Sequence, residues 1–349
     1  MNNRVQAAII AAAVAVAALA PATTAEAATG WRLTAAPDAG AELHDVAVVS
    51  AKDAWAVGGG KAGPLVRHWN GRTWTKVALP KAAAGASLLS VSASSSSNVW
   101  IGGHNGRSTQ FWLHWNGRTW KVITGPDLSE PVAPKLLAIS AKDVWSFGWK
   151  GDGPFYPDVR HYNGSRWSKV AGPGIVFEVR ALSSKDIWAV GANAYRAGMA
   201  GGVYHWNGKS WKTFRPLPLT SYADYSSVVA KSAKDVWVSG RRTSGETSTP
   251  FLAHWNGSSW KQVAAPKTKQ GLTALTKDGA SGFWAEADGR FFHYSKGKWT
   301  STPVPSRSGY KTAVYGMAFI PGGTSVWAVG ALQDKREVAR YDAILKLGR

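Results

Sequence analysis

From residue 43 onward, short apolar runs alternate with clusters of Gly, Asn, Asp, Ser and Lys. The runs at 43–49, 54–58, 65–69 and 73–79 have the length of strands, and turn residues bound each of them. We label them a to d, from the inside of the molecule outward. The same order then recurs down the chain. Run b carries a D-x-W-x-V-G pattern at 53–58, 98–103, 143–148, 186–191, 235–240, 282–287 and 325–330. Runs c and d are joined by H-W-N-G-x-x-W at 68–74, 114–120, 161–167, 205–211 and 254–260, with a worn copy, HYSKGKW, at 293–299. The closing tryptophans, from Trp31 to Trp299, are spaced 39–49 residues apart. Units of this length with Trp and Gly signatures read as propeller blades. The pattern therefore predicts an all-β fold, a seven-bladed β-propeller with four-stranded antiparallel blades. No stretch beyond the N-terminal leader has helical periodicity.

The recurring residues make sense as packing. The Trp in the middle of strand b is large enough to fill the wedge between blades. The Asp before it sits in a Ser-x-Lys-Asp turn, where its carboxylate is expected to accept backbone N–H bonds. Asn-Gly between c and d is a strong hairpin signal. Six of the eight histidines precede the Trp or Tyr of strand c. Spread around a ring, they cannot meet at one metal and read as structural. The last unit ends without an N-G-x-x-W, so the segment from Trp31 to Thr34 is expected to supply its outer strand. The alternative is that 344–347 supplies that strand and Trp31 merely packs nearby.

Residues 1–27 read as a signal peptide: Arg4, an apolar run from Ala7 to Ala20, then Ala25-Glu26-Ala27. Cleavage near Ala27 would leave 28–349 as a single exported propeller domain, with no transmembrane segment and a monomeric state. The chain has no cysteine, which excludes disulfides, thiolate nucleophiles and cysteine metal sites. No cofactor is implied. The net charge of +20 invites an anionic partner. Many of the basic residues, however, recur at fixed turn and outer-strand positions, such as Lys52, Lys142, Lys185 and Lys234, where lysine guards a sheet edge. Nucleic acid is not expected, since no binding module is recognisable.

The pattern W-x-x-V, L-x-x-V-S-A, D-V-W-A-V-G, H-W-N-G-x-x-W resembles the Trp-rich repeats of tectonin-type and kelch-like propellers, in the style of secreted bacterial propeller lectins. The resemblance covers nearly all of the chain after the leader. It implies the architecture more than the role, because propellers serve many functions. Kelch-type oxidases use a cysteine-linked tyrosine copper site, which a cysteine-free chain cannot build. SAKDVW at 140–145 is only superficially similar to a sialidase box.

Blade connectivity puts the stereotyped a–b and c–d turns on one face and the variable b–c and d–a loops on the other. Function is expected on the variable face. Its distinctive residues are Trp149, Asp152, Tyr156 and Asp158 in one b–c loop, Tyr195 and Arg196 in the next, Tyr222 and Tyr225 in a d–a loop, and Arg241 and Arg242 opening another b–c loop. Aromatic faces beside carboxylates and guanidinium groups suit sugar rings. They suit a protein partner equally well, or pack their own loops. Catalysis has little motif support: Asp152 and Asp158 form an imaginable carboxylate pair, and His44 and His104 have no evident partner. The reading is a secreted, non-catalytic binding module for a glycan or cell-envelope polysaccharide. The alternatives are a scaffold or adaptor for a secreted protein partner, as in an antibacterial toxin assembly, and, less favoured, a propeller hydrolase or lyase.

Overall fold

The computed structural model describes residues 30–35, 38–105, 109–124, 135–150, 156–192, 201–216, 222–244, 247–334, 336 and 340–348. The expected leader lies outside them. They form seven four-stranded antiparallel sheets arranged as blades. In blade 1, strands a to d are Ala41–Ser50, Asp53–Gly60, Gly63–Trp69 and Trp74–Lys76. Strand d is shorter than the apolar run that announced it: after Lys76, one bond from Val77 N to Val66 O continues the pairing before Pro80. A single 3₁₀ turn, Lys81–Ala83, is the only helical element among the described residues.

Blade 7 consists of Tyr310–Phe319, Val326–Asp334, Arg340–Leu347 and, from the other end of the chain, Trp31–Ala35. Trp31 pairs with Leu347 and Leu33 with Leu345. The expected closure by the N-terminal strand is present. Residues 344–347 are not an outer strand; they belong to strand c and pair with strand b and with the N-terminal strand. The seam is reinforced by a buried ion pair. Arg67, on strand c of blade 1, lies 2.5 Å from Asp342 of blade 7 through Nε and 3.0 Å from Asp38.

The repeated motifs join into one packing unit. In six blades the histidine of strand c lies over the indole of strand b, from Trp55–His68 at 4.1 Å to Trp145–His161 at 4.5 Å between ring centroids. Its Nε2 meets the turn Asp, as in His68–Asp53 (2.9 Å) and His161–Asp143 (2.8 Å). In three blades the indole N–H donates to the same residue, as Trp145 does to Asp143 at 2.9 Å. This corrects the expected role of most of these carboxylates, which accept from side chains. The turn N–H is taken by the serine: Ser50 Oγ accepts from Lys52 N and Ser140 Oγ from Lys142 N. Asp278 does both, accepting from Ala280 N and Gly282 N as well as facing His293. In blade 2, Asn98 replaces Asp, and burial together with Lys121 lowers the pKa of His114. In blade 7 the slot holds Lys346, whose ammonium sits 5.2 Å from the centre of Trp327.

In six blades the strand-b indole also meets the closing Trp of the next blade edge-on, as Trp55 meets Trp120 (5.8 Å) and Trp100 meets Trp167 (5.5 Å); in blade 5, Trp237 meets Phe283 and Tyr294 instead. The wedge-filling role expected of these tryptophans is the one they have. At the c–d hairpin of blade 1, Gly71 alone takes a positive φ, +93°, while Asn70 Oδ1 accepts the N–H groups of Arg72 and Thr73. The Asn acts through its side chain here.

One core group is mismatched with its surroundings. Tyr204 is 1% exposed, its hydroxyl has no hydrogen-bond partner among the described residues, and burial pushes its pKa up to about 12. Removing an unsatisfied buried hydroxyl relieves its desolvation cost. Tyr204→Phe should stabilise the fold by ~1 kcal/mol, read as a higher urea midpoint with unchanged slope. A destabilised variant would show that the hydroxyl is satisfied after all.

Candidate functional site: the channel mouth on the variable-loop face

The last glycine of D-x-W-x-V-G shapes this site. In blades 1, 2, 4, 5 and 7, strand a slips register by one residue opposite that glycine: between Leu43 and Asp45, Leu88 and Ser90, Val176 and Glu178, Tyr225 and Ser227, and Val314 and Gly316. The bulge carries strand a's backbone across the glycine. A Cβ at Gly58 would stand 2.0 Å from Glu42 O, and one at Gly240 1.8 Å from Asp224 O. Only glycine fits. A bulge re-aims the extra residue, and here the extra residues are His44, Leu89, Phe177, Ser226 and Tyr315. All sit at the b–c/d–a end of the innermost strand, around the channel mouth.

Among the described residues, the large hydrophobic side chains that stay exposed are Tyr156 (43%), Phe177 (43%) and Tyr315 (42%), all on this face. Phe177 and Tyr315 belong to blades on opposite sides of the ring. Beside Tyr315, Nδ1 of His44 lies 2.9 Å from the Leu88 carbonyl oxygen and Nε2 lies 3.2 Å from Glu42. The other oxygen of Glu42 accepts from Arg340 at 3.0 Å. Burial, then the Glu42 carboxylate, pushes the Tyr315 phenol up. His44 and Glu42 also line a cleft of about 440 Å³ between blades 1 and 2, walled by Gly59, Gly60, Lys61 and Gly85.

Below the mouth, a polar girdle crosses blades 1 to 4. Lys135 lies 3.3 Å from Asp45 and 3.6 Å from Glu178, which also pairs with Arg180. Burial alone would lower the Lys135 ammonium, but the two carboxylates outweigh it and hold it above the usual lysine range. Burial would likewise raise Glu178; Arg180 and Lys135 reverse that and hold it below the usual carboxylate range. The girdle opens into a central cavity of about 520 Å³. A separate outer groove of about 750 Å³ lies between blades 3 and 4, lined by Trp145, Trp206, Trp211 and Gly172. Between blades 1 and 2, Val77, Leu79 and Ala83 pack into the core at the comparable position.

The residues expected to form the site are distributed otherwise. Trp149 and Asp158 are not in a loop but on strands Asp143–Lys150 and Tyr156–Tyr162, where Trp149 is half-buried opposite Pro157. Asp158 is 1% exposed and paired with Arg160 at 2.9 Å, so it cannot serve as a surface carboxylate. Tyr225 is also buried at 1%, edge-on to Phe251 in the core. Tyr222 begins strand a of blade 5, Tyr222–Ser232, and Arg241 and Arg242 lie on strand Asp235–Ser244; none is in a loop. Arg241 is exposed and 3.7 Å from Asp224, and Arg242 is half-buried. Asp152, Tyr195 and Arg196 lie outside the described residues. Tyr156 remains as an exposed aromatic on the expected face. Phe177, Tyr315 and Glu42 went unnoticed because nothing local marks them, and His44 stood out only as a histidine without an evident partner. The signal was the motif glycine on the neighbouring strand.

No protein-family profile matches this sequence, and no curated protein matches it. Solved structures do. YCF48 bound to a D1 peptide superposes with a TM-score of 0.64 at 15% identity, covering 92% of this chain and 97% of that one. A catalytically inactive virginiamycin B lyase from Staphylococcus aureus, with quinupristin, gives 0.65 at 13%, covering 91% and 99%. The SapL1 lectin in complex with alpha methyl fucoside gives 0.50 at 12%, covering 75% and 95%. These likenesses establish the class: the chain is a seven-bladed β-propeller. No helix among the described residues is long and apolar enough to cross a membrane.

Proposed function

We propose that this protein is an exported, non-catalytic binding module that takes a carbohydrate at the channel mouth on the b–c/d–a face. The observation that carries the reading is the bulge ring, which holds Tyr315 exposed beside Glu42, His44 and Arg340, and Phe177 exposed across the mouth. Aromatic rings stack on the C–H face of a sugar, while carboxylate, imidazole and guanidinium groups bond its hydroxyls. The proposal assigns no acid–base role at the mouth: Glu42 is engaged by both His44 and Arg340, and the Tyr315 phenol is held protonated. The fucoside-bound lectin among the similar folds is in keeping with this reading, and the peptide-bound YCF48 with its protein-partner alternative.

The test is a glycan array at low and high salt, followed by titration of the best ligand. Phe177→Ala with Tyr315→Ala should weaken binding on the order of 100-fold, about 1.4 kcal/mol for each aromatic anchor, with the fold intact by circular dichroism. Unchanged affinity would refute the mouth as the site. Loss of binding on Trp206→Ala instead would move it to the outer groove between blades 3 and 4. Silence on the array at both salts would favour a secreted protein partner.

A further inference from the structure

The channel has a second end, and its chemistry differs from that of the mouth. Lys277 is the last residue of strand a in blade 6, Thr273–Lys277, and lines the central cavity at its a–b end. Its ammonium is half-buried and has no carboxylate or hydrogen-bond acceptor among the described residues. The nearby charges are cations: burial, then Arg180 and Lys231, lower its pKa. Lys231 is itself engaged, by Asp235 at 2.9 Å and the Ser281 carbonyl oxygen at 2.5 Å.

Three hydroxyls that blades 2 and 4 bring to the same cavity are arranged as donors. Ser92 Oγ accepts from Ala138 N (2.8 Å), Ser94 Oγ from the Asn98 side-chain amide (2.7 Å), and Ser183 Oγ from Lys185 N (3.2 Å). All three line the cavity. A hydroxyl that already accepts keeps its own hydrogen to donate. The carboxylates nearby are occupied. Asp45 accepts from Val46 N, Val91 N, Ser90 Oγ and Lys135, and Glu178 from Val179 N, with Lys135 and Arg180 beside it. Among mostly apolar lining residues, the cavity thus carries unspent serine donors, Lys277, unpaired among the described residues, and Arg180, whose Nη1 is engaged by Glu178 and the Val179 carbonyl oxygen, and it is large enough for several non-hydrogen atoms.

We propose that the a–b end of the channel is a binding site for a tetrahedral oxyanion, sulfate or phosphate, held by Lys277 and Arg180 with Ser92, Ser94 and Ser183 as supporting donors. The occupant is a free ion or the pendant group of an acidic sugar. The site shares Arg180 with the girdle and does not depend on the glycan reading of the mouth.

The test is thermal unfolding of the full chain in sodium sulfate and, separately, in galactose 6-sulfate, each against chloride at matched ionic strength. The midpoint should rise saturably, by about 5 °C at roughly 100-fold above the Kd. Lys277→Met, which keeps the apolar stem, should abolish that rise and, in chloride alone, melt no lower than wild type. Equal Kd values for the two probes would support the site with a free ion as occupant. Tighter binding of the sulfated sugar would support it with a pendant group. A rise that does not saturate, or one that Lys277→Met retains, would overturn the proposal.

Discussion

Asp342→Ala should lower stability by about 3–5 kcal/mol, the largest effect expected of any single polar substitution in this protein. Asp342 is fully buried, and Arg67, its partner at 2.5 Å, is 4% exposed. The same carboxylate accepts the backbone N–H of Asp38 at 2.8 Å. Truncating it leaves a guanidinium in the interior, sharing only Asp38, whose side chain is partly exposed. The pair also joins strand c of the first blade to strand c of the last, so the penalty falls on the seam where the ring closes. Urea unfolding measures it as a lower midpoint. A double variant, Arg67→Met with Asp342→Leu, should recover most of the loss, because replacing both members of a buried pair by apolar groups removes the stranded charge. A single variant within about 1 kcal/mol of wild type would mean the pair is better solvated than its burial indicates.

Trp31→Ala should cost roughly 3 kcal/mol, at the lower end for an aromatic-to-alanine change because the side chain is half-buried. The indole stacks on Phe291 at 3.7 Å and meets Trp284 edge-on at 5.6 Å, so it is the residue through which the N-terminal strand grips blade 6 as well as completing blade 7. Deleting Trp31–Ala35 altogether should do more. Strand Arg340–Leu347 would become an open edge, with the apolar Leu345 and Leu347 beside unpaired backbone, and such edges recruit other chains. The expected result is a lower midpoint for the point variant and concentration-dependent oligomers for the deletion, read by light scattering. If Trp31→Ala matched wild type in denaturant, closure would rest on backbone pairing alone.

Both predictions concern a seam that the sequence announces only in part. The missing N-G-x-x-W at the C-terminus and the orphan Trp31 near the N-terminus together imply that one completes the other. Nothing in the repeat announces Arg67 and Asp342, which break no pattern and lie 275 positions apart. The turn Asp is a similar case. Its place before Trp was legible, but its partner was read as backbone because the histidine it faces lies 15 to 19 residues further on.

The candidate site was the least legible part. The variable-loop face was identified from loop content, and the exposed Tyr156 lies there. Asp158 and Tyr225 were misplaced because strands b, c and a run further toward that face than their apolar cores indicate, and so carry these residues into the interior.

Sequence alone determined the number of blades, the four-strand unit and the tryptophan wedges. Each depends on contacts that repeat at one period, so a single local pattern written many times is enough to declare them. Tertiary structure decided which side chains face the mouth, which carboxylates are spent on internal cations, and that the half-buried Lys277 has no acceptor among the described residues. Those outcomes depend on a one-residue register slip in strand a and on side chains from different blades, such as Asp45, Lys135 and Glu178, that only the closed ring brings within reach of one another.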